Sequence, residues 1–192
     1  MGSPTRVIAC GVFKPVLDHL ELEKRYPHLH LTFLPSNLHL RPHELEIALR
    51  KAINLAKERN EKVVCLYGNC LPNMDSFCHR LGAVKVPGLH CFQMLLGNER
   101  YQHIIEEVPG TYFLDSELIL NFDEYCAEPL ELYDEEIKRL IFAHYQRVLY
   151  VWQPADPDLV SRAQEVAEFL HLSLEIQEAN YSYLEQILID LV

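Results

Sequence analysis

The sequence lacks the short motifs that mark common nucleotide-binding and hydrolytic sites. Its 192 residues contain no GxGxxG or GxxxxGK[ST] phosphate loop, no GxSxG nucleophile elbow and no HExxH zinc motif. The six cysteines form no CxxC pair, so the strongest sequence signal for a metal or redox site is also missing. Any site must therefore be assembled from residues that lie far apart in the sequence.

Basic residues and long apolar runs are scarce as well. Lys and Arg number 17 against 28 Asp and Glu, which gives a formal net charge of −11. Because such a surface repels phosphates and anionic lipids, we expect neither nucleic acid nor membrane partners. No apolar run approaches the roughly 18 residues of a membrane helix. The opening MGSPTRVIACGVF is not typical of a secretion signal, so we expect a cytoplasmic protein with reduced thiols.

The chain does contain strands and helices that alternate at the spacing of βαβ units. The predicted strands are Arg6–Phe13, His28–Leu34, Lys62–Tyr67, Val84–Val86, Thr111–Leu114, Arg147–Trp152 and Leu172–Gln177. The predicted helices are 14–25, 42–58, 73–81, 91–106, 130–143, 156–170 and 183–191. This order predicts a three-layer, Rossmann-like α/β fold with a mainly parallel sheet and helices on both faces. We expect a single domain over 1–192, with a motif-bearing part at 6–144 and a supporting C-terminal part at 145–192.

Four successive predicted strands are each followed by a thiol or an imidazole. Cys10 lies late in the first strand, His39 follows the second, Cys70 follows the third, and His90 and Cys91 follow the fourth. Ligands of open α/β sheets collect at the carboxyl ends of the strands. Thiolate and imidazole ligands suit zinc, Cu(I) or an iron–sulfur cluster. These five residues are therefore the candidate metal ligands, with zinc or an iron–sulfur cluster as the expected cofactor.

Other interpretations of the same residues remain open. Cys91 stands at a predicted helix start, where the thiolate is favoured, so Cys91 and His90 are candidate catalytic residues. His39, Gly68 and Asn69 are candidates for binding a larger cofactor, since glycine lets the backbone approach a ligand closely. Free cysteines also pack as small apolar side chains. Cys65 in mid-strand and Cys78 in mid-helix are interpreted in that way.

Several ordered motifs carry a resemblance to a known family. They are IACGVF at 8–13, NLHLRPHEL at 37–45, LYGNC at 66–70, HCFQMLLGNERY at 90–101 and PGTYFL at 109–114. With these motifs the sequence resembles an uncharacterised family of bacterial and archaeal proteins, known as a domain of unknown function. Some of its members are encoded near corrinoid-dependent methyltransferases. The resemblance implies that Cys10, His39, Cys70 and Cys91 match the Cys and His motif positions of that family.

Three functions fit these observations, and the sequence leaves open whether the protein is an enzyme. The first is a metal-binding protein linked to corrinoid or methyl-transfer metabolism. The second is a non-catalytic corrinoid or tetrapyrrole carrier or chaperone, in which His39 or His90 offers an axial nitrogen. The third is a metal-free thiol enzyme that uses Cys91, with His90 or His39 as base. The expected partners are a small molecule or a metal, with a corrinoid protein and a second copy of the chain as further options.

Overall fold

The computed structural model describes residues 4–191, whose strands form two parallel sheets surrounded by helices. The strands are β1 Thr5–Cys10, β2 Leu29–Leu34, β3 Lys62–Leu66, β4 Val84–Lys85, β5 Thr111–Leu114, β6 Arg147–Trp152 and β7 Ser173–Glu178. One sheet has the order β2-β1-β3-β4 and the other has the order β5-β6-β7, and every pairing is parallel. The predicted α/β class, with parallel strands flanked by helices as in Rossmann-like folds, is confirmed.

Ten α-helices in this range connect or follow the strands. They are α1 Lys14–His19, α2 Leu22–Arg25, α3 Pro42–Glu58, α4 Met74–Arg80, α5 Cys91–Leu96, α6 Asn98–Glu107, α7 Ser116–Leu120, α8 Glu135–Ile141, α9 Val160–Phe169 and α10 Tyr181–Ile189. Within residues 4–191, none has the length and apolar content needed to cross a membrane.

The two sheets belong to two compact units. One unit comprises the residues up to Met94 together with those from Tyr181 onward, and the other comprises Leu95–Asn180. In the first unit, β1 and β3 are the central strands and are almost fully buried, as their apolar sequences predict. β2, whose sequence alternates polar and apolar residues, lies at one edge of that sheet. The assignment of the whole chain to a single domain stays a prediction.

Some predicted boundaries were wrong because the backbone turns sharply inside the predicted segment. The predicted strand to Phe13 ends at Cys10, and a 3₁₀ turn covers Gly11–Phe13. The predicted helix over 14–25 is divided by Glu21, whose φ of 48° is left-handed. The predicted helix over 91–106 is divided at Gly97, whose φ is 84°. Glycine adopts that conformation readily, which favours a break at this position.

Two helices of the second unit begin later than predicted. α8 begins at Glu135 because the Asp134 carboxylate accepts hydrogen bonds from the first amides of the helix. Asp156 was predicted to start the next helix. Its carboxylate instead accepts hydrogen bonds from the Gln153 amide at 2.9 Å and the Tyr150 hydroxyl at 2.8 Å. The chain therefore continues in turns until α9 starts at Val160.

Candidate functional site

The thiol- and imidazole-bearing connections lie at one edge of the four-stranded sheet. β1 to β4 run parallel, so their carboxyl ends meet at the same edge. Cys10 is the last residue of β1, His39 lies in the 3₁₀ turn Ser36–Leu40 after β2, Cys70 follows β3, and Cys91 opens α5 after β4. The shared edge that the strand order predicted is therefore confirmed.

A buried tyrosine that the sequence analysis missed lies among these thiols. Ala9 pairs with Leu66, so Cys10 and Tyr67 are the next residues on neighbouring strands. Tyr67 is only 2% exposed, and its hydroxyl has no hydrogen-bond partner within the described residues. Burial raises the pKa of Tyr67 strongly, and the nearby thiols of Cys10, Cys70 and Cys65 raise it further. The hydroxyl therefore stays protonated and lies within electrostatic range of three sulfurs.

The connections after β3 and β4 are in direct contact. The Asn69 amide donates a hydrogen bond to the Leu89 carbonyl at 2.7 Å. A Cβ at Gly68 would lie 2.7 Å from the Leu89 oxygen and 2.9 Å from the His90 Cα, closer than real Cβ atoms approach. Glycine is required at this position because the neighbouring backbone occupies the space. The contact holds Cys70 and Cys91 on adjoining segments.

Cys70 lies beside an open cleft. The cleft has a volume of about 580 Å³ and is lined by residues 69–76. Cys70 is half-buried, and this burial raises the pKa of its thiol, while a backbone hydrogen bond with Gly68 and the charge of Lys85 act in the opposite direction. Cys70 is therefore a thiol that solvent reaches but whose pKa is raised, because the charge of Lys85 offsets the effect of burial only in part.

Lys85 is a second polar residue that the sequence analysis missed. Its side chain is only 4% exposed. Its ammonium group donates hydrogen bonds to the carbonyls of Gly88 at 2.9 Å and Val86 at 3.2 Å, and lies 3.6 Å from the Asp75 carboxylate. In the sequence, the position of this lysine between two valines of a short predicted strand was the available signal of its burial. The buried ammonium holds the turn that precedes His90.

His39 is exposed, but one of its ring nitrogens is fixed. Its Nδ1 lies 2.7 Å from the Ser36 carbonyl oxygen. A carbonyl oxygen can only accept, so Nδ1 carries the proton and the neutral ring presents Nε2 as an electron-pair donor. Histidines that bind metals are commonly held in this way, with the second nitrogen bonded to a backbone carbonyl. The local geometry of His39 therefore suits a nitrogen ligand.

The predicted ligands are not gathered into a complete cluster. Across residues 4–191, no group of three or more His, Cys, Asp or Glu side chains is arranged to hold a metal ion. Tyr67 lies within electrostatic range of both Cys10 and Cys70. His39 and His90 are exposed, and Cys91 is half-buried. The assignments of these residues to a metal or a cofactor stay predictions.

Comparison with known proteins gives one family. A family model described as "Protein of unknown function (DUF1638)" matches residues 33–188, which is most of the chain. The chain belongs to the DUF1638 family. The sequence-based resemblance to a family of unknown function is confirmed at that level. The DUF1638 match includes His39, Cys70, His90 and Cys91 and begins after Cys10. No curated protein and no solved structure matches the chain.

Proposed function

We propose that the protein binds a zinc-type metal ion at the carboxyl edge of the four-stranded sheet, with Cys10 and Cys70 as thiolate ligands. The unpartnered hydroxyl of Tyr67 carries this proposal. Leaving a buried hydroxyl without a partner costs about 1–3 kcal/mol, so such groups call for an explanation, which is often a bound ion or water. Thiolates created by metal binding would give this protonated hydroxyl an acceptor.

His39 is the third ligand in this proposal. With Nδ1 bonded to Ser36, its Nε2 is the nitrogen available to a metal. Two thiolates and one imidazole with an open position are a known catalytic zinc set. Iron–sulfur clusters usually take four thiolates, whereas three cysteines of the described residues lie at this edge: Cys10 at the end of β1, and Cys70 and Cys91 in the connections after β3 and β4. The residue types therefore favour zinc over a cluster.

Binding requires the connections at the edge to move together, since the described residues contain no preassembled group of three ligands. His39 is on an exposed turn, so it can approach without disturbing the core. Cys91 and His90 are alternative ligands on the segment that touches Gly68. A bound zinc ion would supply Lewis acidity, which suits thiol activation for methyl transfer. Tyr67 would stay protonated and donate to a ligand sulfur.

Metal analysis of protein purified without oxygen tests the proposal. Wild-type protein should hold about one equivalent of zinc, and Cys10→Ala and Cys70→Ala should each lose most of it, because two thiolates supply most of the affinity. Cys126→Ala is the matched control, since that buried thiol lies in the other unit, 3.3 Å from the Tyr112 hydroxyl. Less than about a tenth of an equivalent in wild type, or full retention in both edge variants, would contradict the proposal.

A corrinoid or tetrapyrrole carrier is a second candidate, favoured by the orientation of His39. An exposed imidazole with Nε2 available can also provide an axial nitrogen to cobalt or iron. Addition of cobalamin or haem should then shift the cofactor spectrum, and His39→Ala should abolish the shift while His43→Ala, also exposed, should not. Unshifted spectra with wild-type protein would eliminate this candidate.

A metal-free thiol enzyme is a third candidate, and the cleft beside Cys70 favours it. α5 is only six residues long, so the helix expected to activate Cys91 is short. Cys70 is instead reached from the cleft, and the charge of Lys85 offsets in part the rise in its pKa that burial causes. Iodoacetamide at neutral pH should then label Cys70 before the other five cysteines. If Cys91 were labelled first, Cys91 would be the nucleophile, as predicted from the sequence. Equal labelling of the six cysteines would exclude both Cys70 and Cys91 as the nucleophile.

A further inference from the structure

The second unit has a long, exposed strand at one edge of its sheet. β7 pairs with β6 on one side and is the last strand in the order β5-β6-β7. It is six residues long, and its exposed residues are Ser173, Glu175, Ile176 and Glu178. The N–H and C=O groups along such an edge offer hydrogen bonds to any strand that lies beside it. β7 is therefore a place where this sheet can be extended.

Every second residue of β7 points its backbone groups away from β6: Leu174, Ile176 and Glu178. The opposite direction is fixed by the Ala179 amide, which donates to the Trp152 carbonyl of β6 at 2.9 Å, and the direction alternates along a strand. Within residues 4–191, the three outward amides make no hydrogen bond. The outward carbonyl of Glu178 accepts a hydrogen bond from Arg100 at 2.9 Å and keeps a second lone pair. The edge can therefore bond to another strand along its length.

The edge strands of the first sheet are less open to pairing. At β2, the Leu31 amide donates to the Glu23 carboxylate at 2.9 Å, so a side chain occupies a position that another strand would need. β4 is only two residues long. Of these three edges, β7 is the one that combines length with outward amides to which no side chain of residues 4–191 is bonded.

We propose that β7 pairs antiparallel with β7 of a second copy of the chain, about a two-fold axis at Ile176. Residues opposite one another in an antiparallel pair exchange two hydrogen bonds when the backbone groups of both point into the pair. With Ile176 opposite its counterpart, Leu174 lies opposite Glu178 of the second copy. All three outward residues then pair, because Leu174 and Glu178 are equally far from Ile176 along the strand. The three-stranded sheets of the two copies become one continuous sheet.

Charge favours this register over its neighbours. It places Glu175 opposite Gln177 of the second copy and Glu178 opposite Leu174, so no two carboxylates are directly opposed. A pair centred on Glu175 would oppose two carboxylates, which is destabilising. A pair centred on Gln177 would leave Leu174 beyond the end of the other strand, which ends at Glu178. The Glu175 carboxylate is also compensated in its own chain by the Arg147 guanidinium at 2.7 Å.

Apolar side chains meet at the proposed axis. Ile176 pairs with Tyr150 across β7 and β6, so both side chains lie on the face that carries the apolar core of this unit. Tyr150 is fully buried, whereas Ile176 is 42% exposed. Pairing would cover each Ile176 with the same residue of the second copy, and this burial of apolar surface favours association. A strand of six residues gives a small interface, so we expect a dimer that dissociates on dilution.

Sedimentation velocity on the reduced, full-length protein tests the proposal. Wild type should shift from monomer towards dimer between about 1 and about 200 µM. Ile176→Lys should stay monomeric over this range, because it places two ammonium groups opposite one another at the axis. Leu120→Lys is the matched control and should dimerise like wild type, since Leu120 is 57% exposed on α7 of the same unit.

Ile176→Pro is a second variant, chosen to keep the fold. The Ile176 amide points away from β6, so proline removes no hydrogen bond of the sheet, and edge strands accept proline at such positions. This variant should also be monomeric, with a circular dichroism spectrum that matches wild type.

A disulfide tests the register. Opposite residues of a hydrogen-bonded antiparallel pair have Cα atoms about 5.5 Å apart, which a disulfide can span. Ile176→Cys should therefore link two chains under mild oxidation, and mass spectrometry should identify residue 176 in the linked peptides. Gln177→Cys lies opposite Glu175 in this register and should not link to its counterpart.

The proposal is independent of metal binding, because the residues that carry it lie in a different unit from Cys10 and Cys70. The Cys10→Ala/Cys70→Ala variant should dimerise like wild type. Wild type that stays monomeric at about 200 µM would overturn the proposal and leave this edge to an extended segment of another protein. A dimer that persists in Ile176→Lys, or a link formed by Gln177→Cys but not by Ile176→Cys, would also overturn it.

Discussion

Replacing Tyr67 by Phe should make the metal-free protein more stable. The substitution removes a single hydroxyl that is buried and has no hydrogen-bond partner in the described part of the chain. The ring, which accounts for the packing in the core, is kept. Most substitutions in a core are destabilising, so a gain in stability is an unusual expectation that follows from the missing hydrogen bond alone.

The size of the effect follows from the cost of desolvating a hydroxyl. An unsatisfied buried polar group costs about 1–3 kcal/mol, so Tyr67→Phe should raise the free energy of unfolding by about 1–2 kcal/mol. For a chain of this length, each kcal/mol corresponds to a rise in Tm of about 2–4 °C. If Tyr67 donates to a metal-bound thiolate, the same variant should bind zinc more weakly. Stability and metal affinity would then change in opposite directions.

Urea unfolding of reduced, metal-free protein measures the first effect, and Tyr150→Phe is the matched control. Tyr150 is also fully buried on a central strand, but its hydroxyl donates to Asp156 at 2.8 Å. The control should lose about 1–3 kcal/mol, because it removes one of the two hydrogen bonds that the Asp156 carboxylate accepts. A loss of more than about 1 kcal/mol in Tyr67→Phe would refute the reasoning, since it would mean that the Tyr67 hydroxyl makes a stabilising bond.

Three further substitutions test other parts of the structure. Gly68→Ala should cost at least about 2 kcal/mol in urea unfolding, because its Cβ would overlap the Leu89 carbonyl; an unchanged midpoint would show that the connection moves freely. The pKa of Glu61 is lowered, mainly by its hydrogen bond with Arg6. The stability that this ion pair adds is therefore present above the ordinary glutamate pKa of about 4.3 and is lost as the pH falls through the lower pKa of the folded state. Glu61→Gln should therefore cost about 3 kcal/mol near neutral pH, and the difference from wild type should shrink in acid; a constant difference would contradict this. Asp134→Ala should cost about 1 kcal/mol by removing the N-cap of α8, measurable by thermal unfolding and contradicted by an unchanged Tm.

The arrangement of the strands was predictable because it depends on local signals. Continuous apolar runs such as Lys62–Leu66 indicated strands buried on both faces, and the intervening helices required parallel connections. Those two facts were enough to bring Cys10 and Cys70 to one edge. Helix ends were less predictable, since the breaks at Glu21 and Gly97 depend on single backbone conformations.

The residues around the thiols could not be identified in the same way. Tyr67 looked like the last apolar residue of a strand, and nothing in its neighbours indicates that its hydroxyl lacks a partner. Lys85 is buried because the turn that follows it supplies carbonyl acceptors, which is a tertiary effect. Cys65 and Cys78 were interpreted as core residues, and both are buried as expected.

The Asn69 amide donates a hydrogen bond to the Leu89 carbonyl, so its exchange rate depends on the connection after β3 and on the connection after β4. A molecule that displaced the Cys70 segment would stretch this bond, and so would a movement of the backbone around His90. Hydrogen–deuterium exchange at the Asn69 amide would therefore register events on either connection, whatever the ligand. Through the same hydrogen bond, a movement of one connection can displace the other without any rearrangement of the strands of the sheet.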